Sequence, residues 1–301
     1  MSLRIWMMMC LLGLLWSGTF LITEVLLETF APFTIVFHRV GLAALAMLAL
    51  LWLKGKKLPR DIRSWVGFIV MGFLNNALPF SAIVFGQQYI TGGLASILNS
   101  TTAFIAVIIS GIFLADEKLT PARFVGVTLG VSGVVLAMGI ETLSGLSLTS
   151  IGQFCILLSS TSYVFASIWG KLKLRHHDTE VTATAMLMTS TGWMFAITLI
   201  TEGNPFTLMS GAMLGSFLVY AVLCTSLAYI LYFALLKEAG AGNTMLVTII
   251  IPPFSLLLDA FVLGQWVRTH EMLGFGVIAI GLLILSNKIR LPIRRDGKQA
   301  P

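Results

Sequence analysis

The basic residues of this chain fall almost entirely in every second gap between its apolar segments. The sequence contains ten apolar runs, and all but two of its 19 Lys and Arg residues lie on one side of a membrane when these runs are threaded back and forth. The exceptions are Arg268, in the last loop of the other side, and Arg39, inside the second run. Short cytoplasmic loops of membrane proteins carry such an excess of positive charge. The pattern therefore predicts a multi-pass protein of the cell (inner) membrane with both termini in the cytoplasm.

The composition excludes a water-soluble globule. Of the 301 residues, 57% are hydrophobic and only 11% are charged, whereas about a quarter of a soluble domain is charged. The net charge of +6 comes from short loops and a tail beside the membrane segments, so no nucleic-acid partner is expected. The three cysteines lie within apolar runs and are interpreted as small buried side chains. No cofactor and no metal are expected, and His176, His177, Asp178 and Glu180 are interpreted as a solvated loop.

Each apolar run is long enough to cross a bilayer as a helix. A hydrocarbon core of roughly 30 Å needs about twenty residues per helix, and backbone groups in lipid must bond within their own segment. The predicted spans are residues 3–23, 32–53, 64–84, 93–115, 121–140, 150–170, 181–201, 211–235, 243–263 and 270–287. The predicted fold class is therefore an all-α integral membrane protein with ten transmembrane helices.

The two halves of the chain repeat each other. A shift of 148 residues superimposes four identical pairs: Phe85 on Phe233, Leu98 on Leu246, Gly126 on Gly274 and Gly133 on Gly281. Because five helices per half is an odd number, the second half must cross the membrane in the opposite sense, as in transporters with inverted repeats and a midplane substrate site. The expected domains are a first repeat at 1–145, a second at 146–290 and a basic cytoplasmic tail at 291–301. Gly126, Gly130 and Gly133 predict a face of close helix packing.

Four features together carry a family resemblance: the run Leu14 to Gly18 (LLWSG), Arg39 within the second segment, the stretch Ala95 to Glu117 ending in Leu-Ala-Asp-Glu, and Pro252 thirteen residues before Gln265. The chain resembles the drug/metabolite transporter (DMT) superfamily, specifically its ten-helix EamA branch, and within that branch it is similar to YddG-type amino-acid exporters. The resemblance implies a secondary transporter. Two positions depart from the pattern, because Phe104 replaces a family Pro and Gln265 replaces a family Glu.

Six deep polar and aromatic residues from both halves are the predicted substrate-binding group: Trp16, Arg39, Asn99, Tyr163, Tyr229 and Thr248. An arginine at membrane depth faces a water-filled cavity or a partner by default. Arg39 could bind a substrate carboxylate or tie helix ends together, and the sequence leaves both open. Asn99 and Thr248 lie on polar faces of matching helices, which favours cavity lining over interhelical hydrogen bonding. The aromatic rings suit a pocket for amphipathic solutes or core packing.

Three further residues are predicted to serve gating or coupling. Pro79 and Pro252 each remove a helical hydrogen bond, and Pro252 followed by Pro253 predicts a kink near the middle of the ninth helix. His38 is the deep group whose titration lies near neutral pH, so a coupled proton is assigned to it, although it also suits a satisfied interior position. Asp259 is expected about one turn from the outer boundary and is expected to be dispensable.

The function predicted from these features is export of amino acids, aromatic or neutral, or of related small metabolites by alternating access. The alternative is a multidrug or organic-cation exporter of the same superfamily, but the first segment lacks a mid-helix carboxylate between Cys10 and Phe20. A channel and an intramembrane enzyme are the remaining alternatives. The expected partners are a small-molecule substrate and membrane lipid, and the protein is expected to act as a monomer that is not an enzyme.

Overall fold

The structure is a computed structural model that describes residues 2–113, 120–139, 147–206, 209–286 and 288–289. Within these ranges the chain forms ten apolar helices and no strand, which confirms the predicted fold class. They are α1 Leu3–Leu27, α2 Pro32–Leu53, α3 Ile62–Gly86, α4 Gly92–Asn99 continuing as Thr102–Phe113, α5 Pro121–Met138, α6 Leu148–Leu174, α7 Thr179–Thr201, α8 Gly211–Ala239, α9 Val247–Leu263 and α10 Thr269–Leu285. Apolar side chains such as Phe261, which is 81% exposed, cover the outside, as lipid requires.

Local signals at the helix starts agree with these boundaries. Pro32 and Pro121 occupy the first turns of α2 and α5, where the missing N–H costs little because it would have no helical partner. The Asp61 carboxylate accepts a hydrogen bond from the Ser64 amide at 2.8 Å and caps α3. The Thr91 hydroxyl does the same for α4 at 3.3 Å, through the Leu94 amide. Such caps satisfy amides that the helix itself leaves unpaired.

Glycines hold α5 and α10 together in a reciprocal arrangement. A Cβ added to Gly133 would lie 2.8 Å from the Gly274 carbonyl oxygen, and one added to Gly281 would lie 2.8 Å from the Gly126 carbonyl oxygen. Gly126 and Gly133 are the residues that the 148-residue shift places on Gly274 and Gly281. Gly133 therefore packs on Gly274, the mate of Gly126, and Gly126 packs on Gly281, the mate of Gly133. A twofold axis between the halves requires this arrangement.

The other helix contacts also occur in related pairs. The helix α2 packs against α7, its own mate in the second half. The contact of α1 with α9 has its counterpart in the contact of α6 with α4, and that of α3 with α6 has its counterpart in that of α8 with α1. The molecule is thus built from two inverted five-helix repeats that interleave, and the space between them is lined by both halves.

The helices α4 and α9 are both interrupted near the start of their buried course. In α4 the α-helix stops at Asn99 and resumes at Thr102, and a single turn, Ala241–Thr244, precedes α9. Nearby Ser and Thr hydroxyls donate to carbonyls of their own chain, as Ser100 does to Ile97 at 2.6 Å and Thr248 does to Met245 at 2.7 Å. These local bonds compete with the helical ladder.

The sequence predicts a kink of the ninth helix at Pro252, but the interruption of this helix lies elsewhere. The interruption lies before Val247, and the α-helix continues through Pro252 and Pro253 as far as Leu258. The tightened hydrogen bonds lie ahead of the prolines, where the Thr248 amide donates to the Met245 carbonyl oxygen at 3.0 Å.

Wide π-helical turns occur at matching places in the two halves. One spans Phe73–Ala77 in α3 and another spans Val219–Leu227 in α8. The 148-residue shift places Phe73–Ala77 on residues 221–225, inside the second stretch. Such turns hold one more residue than an α-helical turn and are frequent at functional sites. The buried polar residues Asn76, Thr225 and Ser226 lie within these two stretches.

Candidate functional site

Arg39 lies on α2 and is held by side chains of α8, in the other half. Its Nε donates to the Thr225 hydroxyl and its Nη1 to the Tyr220 hydroxyl, both at 3.0 Å. The guanidinium also stacks on two rings, with its carbon 3.7 Å from the centroid of Phe80 and 4.4 Å from that of Tyr220. Planar guanidinium groups favour such aromatic faces. The residue is only 5% exposed.

The buried charge of Arg39 is not neutralised by a carboxylate in the described ranges. The ion pairs found there all involve other residues. Within the same ranges its third nitrogen, Nη2, has no hydrogen-bond partner. Tyr220 and Thr225 have further bonds of their own, because the Tyr220 hydroxyl also bonds the Thr23 hydroxyl at 2.6 Å and Thr225 donates to the Tyr220 carbonyl oxygen at 2.9 Å. The site therefore keeps one positive charge with a donor to spare.

Tyr229 lies in a network of amides contributed by the π-helical turn of α3. Its hydroxyl accepts from Asn75 Nδ2 at 3.1 Å and donates to Asn76 Oδ1 at 2.7 Å. Asn76 Nδ2 donates in turn to the Ser190 hydroxyl of α7 at 2.9 Å. These groups satisfy one another, so a polar substrate that enters must replace their mutual bonds with its own.

The aromatic candidates meet at the boundary between two hydrophobic cores. Tyr163 packs against both clusters of buried residues, one around α1 and α9 and the other around α2 and α7. Its hydroxyl is within electrostatic range of Arg39, and that of Tyr229 is within range of both. The Trp16 ring lies 5.6 Å from that of Tyr232, which is also close to Tyr229. The structure thus brings Trp16, Arg39, Tyr163 and Tyr229 into one region.

Asn99 and Thr248 lie at the two helix interruptions. Asn99 is partly exposed, and its Oδ1 is a buried acceptor with no hydrogen-bond donor in the described ranges. The Thr248 hydroxyl is used by the carbonyl of Met245. Ser96 and Ser100, on the same predicted face as Asn99, are at most 2% exposed and donate to their own helix. Of that face, Asn99 is the member whose side-chain oxygen lacks a partner.

The three candidates for gating or coupling have distinct surroundings. His38 Nε2 lies 2.9 Å from the Pro205 carbonyl oxygen in the loop between α7 and α8, and its ring packs on Phe217. Pro79 follows the π-helical turn of α3, where the freed Leu74 carbonyl oxygen accepts a 2.6 Å hydrogen bond from Ser162 of α6. Pro252 follows Ile251, whose carbonyl oxygen accepts from Ser17 of α1 at 2.8 Å.

The ends of α2 and α7 are tied by symmetry-related contacts. On the side that carries the basic loops, called the basic side here, Lys54 binds Glu180 at 2.5 Å. On the opposite side, called the distal side, Glu202 accepts from the Phe33 and Thr34 amides at 2.8 and 2.7 Å. Glu202 is the residue that the 148-residue shift places on Lys54. Both contacts therefore join a residue at the end of one helix to the first turn of its mate.

The histidine-containing loop on the basic side is engaged in ordinary polar contacts. His177 Nε2 lies 2.9 Å from the Ser64 hydroxyl, and Lys56 binds Asp178 at 2.7 Å. The hydrogen bond from Lys56 holds the pKa of the Asp178 carboxyl below its ordinary value. Among the described residues no group of three or more His, Cys, Asp or Glu could hold a metal ion.

Sequence reasoning did not assign roles to Tyr220, Thr225 or Phe80, which surround Arg39. It noted Asn75 and Asn76 as polar residues but did not include them in the site. The signal that could have found them is the density of polar and aromatic residues on α3 and α8, whose π-helical turns lie at matching places. The wide turns themselves change which residues share a face, and simple helical spacing does not predict them.

Comparison with known proteins identifies the family. The profile described as the EamA-like transporter family matches residues 3–139 and again 150–287. The chain belongs to the EamA-like transporter family. The two matches contain five described helices each, and membership agrees with the predicted place in the drug/metabolite transporter superfamily. The protein is thus a multi-pass membrane transporter that lies in lipid and acts on a small-molecule substrate.

Relatives of this EamA-family chain align along nearly its whole length. Protein PagO of Salmonella typhimurium is 26% identical over 94% of this chain and 93% of its own. The uncharacterized transporter YoaV of Bacillus subtilis is 22% identical over 90% of both chains. The uncharacterized inner membrane transporter YedA of Escherichia coli K12 is 23% identical over 91% of this chain and 88% of its own. A crystal structure at 16% identity aligns with a TM-score of 0.68 over 96% of this chain and 99% of that one, which shows a shared fold.

Proposed function

We propose that the protein exports amino acids, aromatic or neutral, or closely related small metabolites by alternating access. The observation that supports this most is that two hydrogen-bonding groups of opposite kind lack partners at membrane depth. Arg39 Nη2 is a donor with a positive charge and no acceptor, and Asn99 Oδ1 is a buried acceptor with no donor. A carboxylate and an ammonium group on one small molecule supply both missing partners. Tyrosine and tryptophan rings nearby suit the apolar part of such a zwitterion.

The proposed substrate site is formed by Trp16, Arg39, Asn99, Tyr163, Tyr229 and Thr248. Arg39 binds the substrate carboxylate, and Asn99 accepts from the ammonium group. In the empty site Tyr229 forms hydrogen bonds with Asn75 and Asn76, so its hydroxyl is satisfied. When the substrate binds, Tyr229 exchanges these bonds for bonds to the substrate. Pro79 and Pro252 provide bending points in α3 and α9, since each leaves carbonyls free of helical donors. His38 acts as a gating contact between α2 and the loop at Pro205.

The alternative is a multidrug or organic-cation exporter of the same superfamily. The charge at the centre disfavours it, because a buried arginine repels a cationic solute in a medium of low dielectric constant. We infer that the protein is not an enzyme, since its deep groups suit binding and not bond cleavage. We also infer that it acts as a monomer in the inner membrane and has no nucleic-acid partner.

Transport should depend on the two groups that the site contributes from opposite halves. We expect Asn99→Ala and Tyr229→Ala each to lower uptake of aromatic amino acids by everted membrane vesicles at least tenfold, because each loses one substrate hydrogen bond of about 1.5 kcal/mol or more. Membrane yield should stay near that of the unchanged protein.

The matched control for this experiment is Ser216→Ala on α8, a partly exposed residue whose hydroxyl donates to the Ala212 carbonyl oxygen. Uptake should be unchanged in the control. Full uptake in both site variants would place the substrate elsewhere, and uptake of organic cations with no response to amino acids would favour the alternative function.

Both termini are proposed to lie in the cytoplasm, because the basic loops all fall on the side of the termini. An enzyme reporter that works only in the cytoplasm should be active when fused after residue 289, and a reporter that works only in the periplasm should be inactive there. A reporter inserted in the 203–205 loop should give the reverse pattern. Periplasmic activity at the C-terminal fusion would contradict the proposed orientation.

A further inference from the structure

Two carboxylates from different halves bind adjacent backbone amides at the distal end of α4. Glu24 of α1 accepts from the Gly92 amide through Oε2 at 3.1 Å. Asp259 of α9 accepts from the Gly93 amide through Oδ2 at 2.6 Å. Asp259 is only 3% exposed, whereas its place in the sequence suggests a residue close to the membrane boundary. A Cβ on Gly93 would lie 3.1 Å from Asp259 Oδ2, so glycine permits this close approach.

The charge of this pair is not balanced within the described ranges. Two carboxylates carry two negative charges, while the N-terminus of α4 contributes the equivalent of roughly half a positive charge. The ion pairs found in those ranges involve neither Glu24 nor Asp259. Glu271 of α10 adds to the negative potential at Asp259. Keeping a second ionised carboxylate in such a place is costly unless it gains a counter-charge.

The hydrogen-bonding groups around the pair also lack donors. Asp259 Oδ1 is buried and has no donor in the described part of the chain, and the same is true of Gln265 Oε1 and Gln87 Oε1. Gln265 uses its Nε2 on Glu24 Oε1 at 2.7 Å. Gln87 uses its Nε2 on the Phe20 carbonyl oxygen at 3.0 Å. Three unpaired acceptors beside two carboxylates indicate that this site has room for at least one more donor hydrogen, and a proton on a carboxylate oxygen supplies one.

We propose that Glu24 and Asp259 together bind one exchangeable proton at the distal end of α4, and that this proton is the coupling ion of the proposed transport cycle. The step is a simple protonation, in which Oδ1 of the Asp259 carboxylate gains a proton from a hydronium ion on the distal side, a water molecule is left, and the pair loses one negative charge. The coupling part rests on the proposed function, whereas the binding part rests on the geometry alone.

A proton fits the site better than a metal cation. Three of the four carboxylate oxygens already accept from Gly92, Gly93 and Gln265, and N–H groups directed at these oxygens compete with a metal ion for them. The described residues also contain no cluster of His, Cys, Asp and Glu that could ligate a metal. One proton needs a single carboxylate oxygen, and Asp259 Oδ1 is the one without a donor.

Protonation at Asp259 should loosen the contact between α4 and α9 on the distal side. A neutral carboxyl oxygen is a weaker acceptor than a carboxylate, so the bond from the Gly93 amide to α9 weakens and α4 can separate from the second half. The 148-residue shift places Gly111 on Asp259, so the position that corresponds to Asp259 in the first half carries no carboxylate. The two repeats therefore differ at this position, and the proposed proton binding belongs to the distal side.

Other ionisable groups near the pair belong to the helices packed around it. The first part of α4 contributes none, since Gly92–Asn99 contains no ionisable side chain. The helix α1 contributes Glu28, and the first turn of α10 with the residue before it contributes Arg268, His270 and Glu271. Glu28 and Arg268 are exposed, and Glu271 is 6% exposed and accepts from the Arg268 amide at 3.1 Å.

Infrared difference spectroscopy of the full chain in liposomes tests the binding without any substrate. We expect the carbonyl band of a protonated carboxylic acid to disappear as the pH is raised in the unchanged protein. The band should be absent in Asp259→Asn and shifted in pH by Glu24→Gln, and it should persist in Glu28→Gln, an exposed carboxylate one turn from Glu24. A titrating band that is unaffected in both Asp259→Asn and Glu24→Gln would overturn the proposal. A carboxylate signal that changes on addition of Na⁺, with no band of a protonated carboxylic acid at any pH, would also overturn it.

The same liposomes, loaded with tryptophan or phenylalanine, test the coupling. Asp259→Asn should keep exchange of labelled for unlabelled amino acid but lose proton-gradient-driven movement at least tenfold, while Glu28→Gln keeps both. Gradient-driven movement that survives in Asp259→Asn would refute the coupling. If even the unchanged protein moves neither amino acid, the proposed substrate is wrong, and the infrared titration still decides whether the pair binds a proton.

Discussion

Replacing Arg39 with Met should abolish most amino-acid transport while leaving the protein folded. The guanidinium is buried without a carboxylate partner in the described ranges, so an apolar side chain of similar volume removes the cost of burying its charge. Its partners keep other bonds, from Thr23 to the Tyr220 hydroxyl and from Thr225 to the Tyr220 carbonyl oxygen. The proposed bond to a substrate carboxylate contributes about 1.5–3 kcal/mol, so its loss should lower initial uptake roughly ten- to a hundredfold.

The control for this variant is Arg39→Lys, which keeps the positive charge but loses the planar fork of donors. We expect Lys to restore part of the uptake, with a higher substrate concentration at half-maximal rate. Uptake should be measured in liposomes with the amount of folded protein normalised by size-exclusion chromatography. Normal uptake by Arg39→Met would show that Arg39 serves the packing of α2 on α8 and not the substrate.

Adding a single methyl group at Gly274 should destabilise the protein strongly. Its Cβ would clash with the backbone of Ala137 on α5, and a backbone cannot move aside as the tip of a flexible side chain can. Overpacking of this kind costs about 1–3 kcal/mol or more. We expect Gly274→Ala to lower the midpoint of thermal unfolding in detergent by several degrees, following a change of about 2–4 °C for each kcal/mol.

The same helix offers a matched control two residues away. A Cβ on Gly276 meets no atom within 4 Å, and Ala favours a helix over Gly by about 0.5–1 kcal/mol. Gly276→Ala should therefore keep or raise the unfolding midpoint. Equal midpoints for the two variants would mean that α5 and α10 do not approach as closely as the reciprocal glycines indicate.

The fold could be predicted from the sequence because lipid leaves few choices. The ten apolar runs, the basic loops and Pro32 and Pro121 fix where helices lie, and the 148-residue shift indicates the inverted repeat. The same shift aligned Gly126 and Gly133 with Gly274 and Gly281, which the structure then places in contact. These features depend on local composition and on symmetry, and both can be read without knowing any tertiary contact.

The interior could be predicted only in part. Depth in a helix was enough to suggest Arg39, Tyr163 and Tyr229, but their partners depend on how α2 and α3 face α8. The position of Asp259 shows the same limit, since counting residues from the helix end puts it near the surface, whereas packing against α4 buries it. Sequence reasoning accordingly assigned the proton to His38, and the geometry at Gly93 led us to propose Asp259.

The matched π-helical turns of α3 and α8 give the transporter a way to move without breaking a helix. Each such turn stores one surplus residue, and passing it along the helix turns the intervening segment like a screw, by about 100° and 1.5 Å. Tyr229 lies two residues after the stretch Val219–Leu227, and Asn75 and Asn76 lie within the other one. A shift of register in either helix would therefore rotate its polar groups away from those of the other. Substrate release could then follow from helix rewinding, in addition to any tilting of the two halves.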